Sequence, residues 1–237
     1  MASVRPLYRG EVEIDRLDSS DSSCSERDGL VGSQLQVTPD GPDYTDSFSN
    51  GVLTVSAATN AGGNNREFMW ASGAPTETAS TVCATFTSGQ GIDQQGVVLL
   101  INLNSTDGAV TAVTVTRNIY AEAFNVFNFH VWNTADTSNP FTQFGSFTAS
   151  NLPAYPAPAV YPLHLCARTA FGYLQFVEWT SDVMPAWGTA GQGGLAPLPS
   201  SAPSAGQDGF FAGHEVAGTS MTYRDLTIDG STTNPTS

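Results

Sequence analysis

Lysine is absent from all 237 residues, and the positive charge rests on eight arginines: Arg5, Arg9, Arg16, Arg27, Arg66, Arg117, Arg168 and Arg224. The 22 acidic side chains leave a formal net charge of −14. A surface of that sign repels phosphate backbones and anionic headgroups, which excludes nucleic acid and electrostatic membrane docking as functions. Charge of either sign is scarce, 13% of residues against about 25% in ordinary soluble domains. Ser, Thr, Asn, Gln and Gly must therefore cover much of the surface. The three cysteines, Cys24, Cys83 and Cys166, are too few for a disulfide scaffold, and no C-x-x-C is present. No long apolar run exists: the strongest, residues 97–101, is far short of a membrane span, so no transmembrane segment is expected. Residues 1–10 mix two arginines with Pro6 and lack an apolar stretch, so no signal peptide is expected. Amphipathic helical periodicity is missing as well.

What is present is a set of short segments of period two. A hydrophobic fraction of 40% is enough for a core. Leu53, Val55 and Ala57 alternate with Thr54 and Ser56, and Val82, Ala84 and Phe86 with Thr81, Cys83 and Thr85. Residues 97–103 are apolar on both faces, as in a strand between layers. Val113 and Val115 continue the series. Phe127, Phe129 and Val131 then oppose Asn128, His130 and Trp132. Leu163 and Leu165 oppose His164 and Cys166, and Leu174 and Phe176 oppose Gln175, Val177 and Trp179. Phe210, Phe211 and residues 226–228 close it. Asp-Gly pairs at Asp28, Asp40, Asp107, Asp208 and Asp229 read as turns, and Phe171-Gly172 as a tight hairpin. About nine or ten strands with so little helix predict an all-β fold of two antiparallel sheets packed face to face. Two stretches, residues 133–160 and 188–209, read as long loops, a class often functional.

Residues 1–42 differ. Seven acidic residues fall within residues 11–28, beside a serine-rich run. The expected organisation is an N-terminal arm or docking segment (1–42), a β-sandwich (43–230) and a C-terminal tail (231–237).

Several motifs invite chemistry. Glu13-Ile14-Asp15 with Asp18 has the look of a paired-carboxylate glycosidase strand, but it precedes the sandwich. His214 and Ser220 echo protease signatures without a helix to carry the serine. His164, Cys166 and Cys83 have the donor chemistry of a zinc site, and Cys83 and Cys166 that of a disulfide; buried sheet residues are the plainer account. Oxygens of Asn102, Asn104 and Asp107, or of Asp43 with Asp46, suit calcium, which needs six to eight ligands. Neither metal nor other cofactor is required by these patterns. Sugar recognition combines aromatic stacking with uncharged hydrogen bonding. Trp132, Phe144, Tyr155 and Trp187 are the expected glycan contacts, at strand ends or in loops where one groove would collect them.

The segments Tyr44-Thr45-Asp46-Ser47-Phe48, Gly96-Val97-Val98-Leu99-Leu100, Phe127-Asn128-Phe129-His130-Val131-Trp132, Phe176-Val177-Glu178-Trp179 and Gly213-His214-Glu215, with the closing Ile228-Asp229-Gly230, span about 185 residues. Their order resembles the concanavalin A-like lectin/glucanase sandwich, a jelly roll. More narrowly it looks like the LamG-like domains of actinobacterial surface proteins and actinobacteriophage minor tail proteins. The resemblance implies a non-catalytic phage virion protein, a minor tail or decoration component, likewise a homo-oligomer. It would meet other virion subunits through the arm and host cell-surface glycan through the sandwich. The alternative is a glycoside-active hydrolase or a secreted carbohydrate-binding protein of the same fold.

Overall fold

The computed structural model describes residues 44–49, 51–63, 65–70, 76–89, 93–104 and 106–230. The expected arm and tail lie outside the described residues, as do Asp43, Cys24 and the Glu13-Asp15-Asp18 motif. Thirteen strands follow in order: β1 (Tyr44–Ser49), β2 (Val52–Ala57), β3 (Arg66–Trp70), β4 (Ser80–Ser88), β5 (Gln94–Leu103), β6 (Val110–Asn118), β7 (Ala123–Asn133), β8 (Phe141–Thr148), β9 (Leu163–Ala170), β10 (Tyr173–Trp179), β11 (Gly193–Pro197), β12 (Gln207–Gly213) and β13 (Ser220–Gly230). A 3-10 turn, Ile119–Ala121, separates β6 from β7. The strands form a seven-stranded sheet, β1-β2-β13-β4-β9-β10-β11, and a six-stranded sheet, β3-β12-β5-β6-β7-β8. Every strand-to-strand ladder is antiparallel. The fold is the expected two-sheet jelly-roll sandwich.

The alternation read from the sequence sorts residues onto the two faces of each sheet. Leu53, Val55, Val82, Phe86, Leu165 and Phe176 meet Val97, Leu99, Val115, Phe127, Phe129 and Phe210 in the core between the sheets. Tyr223 is fully buried there and donates its hydroxyl to the Phe211 carbonyl at 2.7 Å, so its polar atom is satisfied.

Three strands depart from the sequence reading. The stretch expected as a loop at 133–160 contains β8, whose aromatics at 141, 144 and 147 fall out of period two. A register shift opposite Phe129 and His130 supplies the extra residue. The loop expected at 188–209 contains the small-residue strand β11, and β3 carries charge among apolar residues, Arg66-Glu67-Phe68-Met69-Trp70. Asp208-Gly209 is not a turn but part of β12. The Asp208 carboxylate accepts the Leu100 amide at 3.0 Å, and a side chain at 209 would collide with the Met69 carbonyl of β3. Asp229-Gly230 likewise ends β13. Phe171-Gly172 is a hairpin turn with both φ values positive, 52° and 80°, as a type I′ turn requires.

Cys83 and Cys166 are register partners on β4 and β9 and form a disulfide across 83 residues. This removes both thiolates from the zinc reading. Closing so long a loop restricts the unfolded chain, and replacing both cysteines by alanine should cost about 4 kcal/mol. Urea unfolding of the double variant beside the oxidised wild type measures it; equal midpoints would show that the bridge contributes nothing.

Candidate functional site

The outer face of the six-stranded sheet is not the solvated polar surface that an exposed sheet face normally presents. Phe68, Trp70, Val98, Ile101, Ala112, Trp132 and Phe211 form a second apolar cluster there, joined by Phe141. Phe68 meets Trp132 edge-on at 5.1 Å and Phe211 at 5.3 Å, while Phe141 lies 4.8 Å from Trp132. Into this cluster runs Arg66, its guanidinium 5.7 Å from the Trp132 ring and 5.5 Å from the Phe141 ring. Both distances are within cation–π range.

Asn65 fixes where Arg66 points. Its side-chain oxygen accepts from the Tyr44 hydroxyl (2.5 Å) and the Glu215 amide (2.9 Å), and its amide nitrogen donates to the Glu215 carbonyl (2.8 Å). The His214 amide donates to the Asn65 carbonyl at 2.9 Å. The start of β3 is thereby stapled to residues 214–215, and His214, at a left-handed φ of 53°, turns its ring to Arg66. Arg66 Nη2 lies 3.0 Å from His214 Nε2, and His214 Nδ1 lies 2.8 Å from the Gly63 carbonyl. Since guanidinium only donates and a carbonyl only accepts, the ring is the neutral Nδ1–H tautomer. Burial, then the Arg66 charge, pushes His214 down to about 4, and the same causes in the same order bring His130 to about 4. Tyr120, on the 3-10 turn, stacks on His214 at 3.9 Å and 11°.

Beside this cluster lies a ladder of uncharged groups. Gln94 donates to the Thr116 hydroxyl (2.9 Å) and the Asn118 side chain (3.0 Å), and the Trp132 indole donates to the Thr114 hydroxyl (3.0 Å). His130 Nδ1 is buried with no hydrogen-bond partner among the described residues. Arg66, His130, Gln94, Thr114 and Thr116 are buried within this face, and what reaches solvent beside them is the rings of Tyr120 and Phe141 and the neutral imidazole of His214. The face suits hydrogen bonding and stacking rather than proton transfer at neutral pH, because both histidines titrate far below it.

The four expected contacts are not brought together. Trp132 is on this face but only 1% exposed, enclosed beneath Phe141 and Arg66, so it supports the face and cannot be stacked upon. Phe144 packs against the inner core, 6.0 Å from Phe129. Tyr155 is 50% exposed in a loop, edge-on to Phe124. Trp187 belongs to the opposite side of the molecule. There it packs with Val177, Trp179 and the disulfide on the outer face of the seven-stranded sheet, with the Arg168 guanidinium 4.3 Å from its ring. His164 stacks on Trp179 and shares a hydrogen bond with Thr85. Ser220 is paired with Ser56, far from a catalytic arrangement with His214. Of the calcium candidates, Asn104 and Asp107 accept amides of their own turn (Thr106, 3.0 Å; Ala109, 2.9 Å), and Asn102 donates to the Ala205 carbonyl. No group of three or more His, Cys, Asp or Glu among the described residues is placed to hold a metal.

Sequence reasoning missed Arg66, Tyr120, Phe141 and His214 as one site. Only the alternation of Asn128, His130 and Trp132 on β7 was legible.

No protein-family model matches the chain, and no curated protein matches it. Among solved structures, the fold is similar to the carbohydrate-binding module CBM66 from Bacillus subtilis, with a TM-score of 0.52 and 11% identity over 85% of this chain and 97% of that one. It is also similar to the exoplasmic/lumenal domain of VIP36 in its Ca2+/Man3GlcNAc-bound form, with a TM-score of 0.51 and 11% identity over 81% and 84% of the two chains. At that identity the likeness establishes the fold alone, a two-sheet jelly-roll sandwich. A sandwich hosts many functions. No helix among the described residues is long and apolar enough to cross a membrane.

Proposed function

We propose that the chain is a non-catalytic glycan-binding β-sandwich carried on a phage particle, as a minor tail or decoration component. The observation that carries the binding reading is the outer face of the six-stranded sheet. Rings, one arginine and uncharged donors and acceptors gather there on a protein otherwise poor in positive charge. Of these groups Tyr120, Phe141 and His214 reach solvent, and a glycan would lay its C–H faces on their rings while its hydroxyls hydrogen-bond at the edge of the cluster. The carbohydrate-binding module and the Ca2+/Man3GlcNAc-bound VIP36 domain, which share the fold, lend the reading precedent.

The non-catalytic part rests on the same strands. Their outward positions on β3, β12, β5, β6 and β7 are aromatic, aliphatic, glycine, amide, hydroxyl, Arg or His, with no carboxyl group among the described residues; glycoside hydrolysis needs two carboxyl groups flanking one bond. Glu67 and Asp208 alternate to the inner side. The virion part rests on the resemblance of the segments to LamG-like minor tail domains and on a mostly neutral polar surface.

Two measurements test the proposal. Antibody raised to the sandwich should decorate purified particles in electron microscopy. The isolated chain should also retain on immobilised host cell-wall polysaccharide without releasing reducing ends. Absence from particles removes the virion role, and sugar release over hours removes the non-catalytic one.

A further inference from the structure

Where β9 turns into β10, one end of the sandwich carries a half-open cleft of about 270 Å³. Leu100 and Ala170 belong to its strand side, and Leu198, Pro199, Ala202 and Pro203 to a wall formed by the segment before β12. No lining residue is charged. The wall is pinned. The Leu198 amide donates to the Gly172 carbonyl at 2.8 Å, Gly206 and Glu77 exchange backbone hydrogen bonds at 2.8 and 2.9 Å, and Asn102 donates to the Ala205 carbonyl at 2.6 Å. Gly206 sits so close to the Leu100 backbone that no side chain would fit, which holds the wall against β5. The cleft is therefore a fixed recess.

The hairpin tip beside it runs against local preference. The first central position of a type I′ turn requires φ > 0 and ordinarily takes Asn, Asp or Gly. Here it is Phe171, at φ 52° and 67% exposed, a bulky residue in a conformation that its Cβ disfavours. The ring does not line the cleft of its own chain, and so exposed a side chain adds little to the core. Tip and cleft are nonetheless one unit, because Gly172 follows Phe171, lines the cleft and carries the Leu198 hydrogen bond. Tyr173 and Leu103, each 41% exposed, extend the apolar surface. Tyr173 completes the tip, and Leu103 follows Asn102, whose side chain holds the wall.

We infer that this end is a contact between two copies of the chain, in which Phe171 of each copy enters the cleft of the other. A projection and a recess side by side on one surface are what such an exchange needs, since a two-fold axis between them sets each projection over the opposite recess. The volume suits one aromatic side chain and lies below the roughly 300–1,000 Å³ of sites for drug-sized ligands. Charge points the same way. Two chains of formal charge −14 repel each other, and this cleft lets them meet without an ionised lining residue. A contact resting on one ring per copy is small, so the dimer is weak and forms as concentration rises. The surface shares no residue with the outer-face cluster, and the inference does not depend on the glycan reading.

The test is sedimentation velocity on the full chain over a concentration series reaching about 1 mM. The wild type should pass reversibly from monomer to dimer. Phe171→Asn, which suits the left-handed φ and removes the ring, should weaken the dimer about tenfold or more. In dilute solution that variant should unfold at the wild-type temperature or above it. Ala202→Leu, which fills the recess, should weaken the dimer as much. Methyl NMR reads the contact itself: the Leu198 and Ala202 methyl resonances should move with concentration in the wild type, as a ring enters the cleft, and stay still in Phe171→Asn. A wild type that is monomeric throughout would leave the cleft to another guest and overturn the inference. A dimer of undiminished strength in Phe171→Asn, or one that forms without moving those methyl resonances, would overturn it equally by placing the contact elsewhere.

Discussion

Replacing Trp132 by alanine should lower the unfolding free energy by about 3–5 kcal/mol, the range for deleting a large buried aromatic. The residue is 1% exposed and touches Phe68, Phe141 and Phe211, with ring centroids 4.8 to 5.6 Å away. Its loss opens a cavity in the outer-face cluster, removes the ring beneath Arg66 and leaves the Thr114 hydroxyl without the indole donor. Tyr120→Ala, on a residue 39% exposed, should change stability by no more than about 0.5 kcal/mol. Urea unfolding of the two variants separates scaffold from surface. A Trp132→Ala protein as stable as wild type would mean that Trp132 is a contact residue, as the sequence alone suggests, and not the support beneath one.

The second large effect concerns pH. Burial pushes Asp208 up to about 7, against which hydrogen bonds from Ser80 and the Leu100 amide pull only in part; Glu77 adds to the rise. Burial also pushes Glu178 up to about 7, opposed by Asn151 and Arg117. A carboxyl whose folded pKa is raised is held protonated by the fold. Its contribution is fully present below the unfolded value near 4 and is lost as pH rises to about 7. The histidines act in the opposite sense. His130 and His214 are depressed to about 4, so their contribution is complete above about 6.5 and lost as pH falls through 4. The two sets oppose each other between about pH 4 and 6.5, so the wild-type profile alone conceals both. Asp208→Asn isolates the acid, because its side-chain carbonyl still accepts the Leu100 amide. Relative to wild type, the variant should gain nothing at pH 4 and up to about 4 kcal/mol at pH 8. Thermal unfolding across that range checks the difference. A constant offset at both pH values would show that Asp208 does not titrate as its burial requires.

How far the sequence carried the fold depended on whether a strand kept period two. β2, β4, β7, β9 and β10 set apolar inner positions against an outer face that carries Thr, Ser, Asn, His, Arg or Gln, and that alternation was legible even where both faces are covered, as in β9 and β10. β8 was not, because its register shift breaks the period at Gln143–Gly145, where the expected loop aromatics turn out to be strand residues. β11 was not, because glycine and alanine carry no pattern. Asp208 misled for a physical reason: the same Asp-Gly pair that suits a turn serves in β12 to bond Leu100 and to admit the backbone of β3. The site was less legible still. Arg66, Tyr120, Phe141 and His214 meet only because β3 pairs with β12 and the 3-10 turn brings Tyr120 over residue 214. Trp187 and Trp132 look equivalent in sequence, yet the sandwich puts them on opposite outer faces.

The exposed edge of the cluster on the outer face of the six-stranded sheet, Tyr120 and Phe141, is where the proposed glycan would sit. The deciding measurement is calorimetric titration of the folded chain with soluble fragments of the host cell-wall polysaccharide, beside Tyr120→Ala and Phe141→Ala at matched folded fraction. The predicted result is binding by the wild type and a loss of about tenfold or more in each variant. Binding of equal strength in all three proteins would contradict it and move the glycan elsewhere on the molecule.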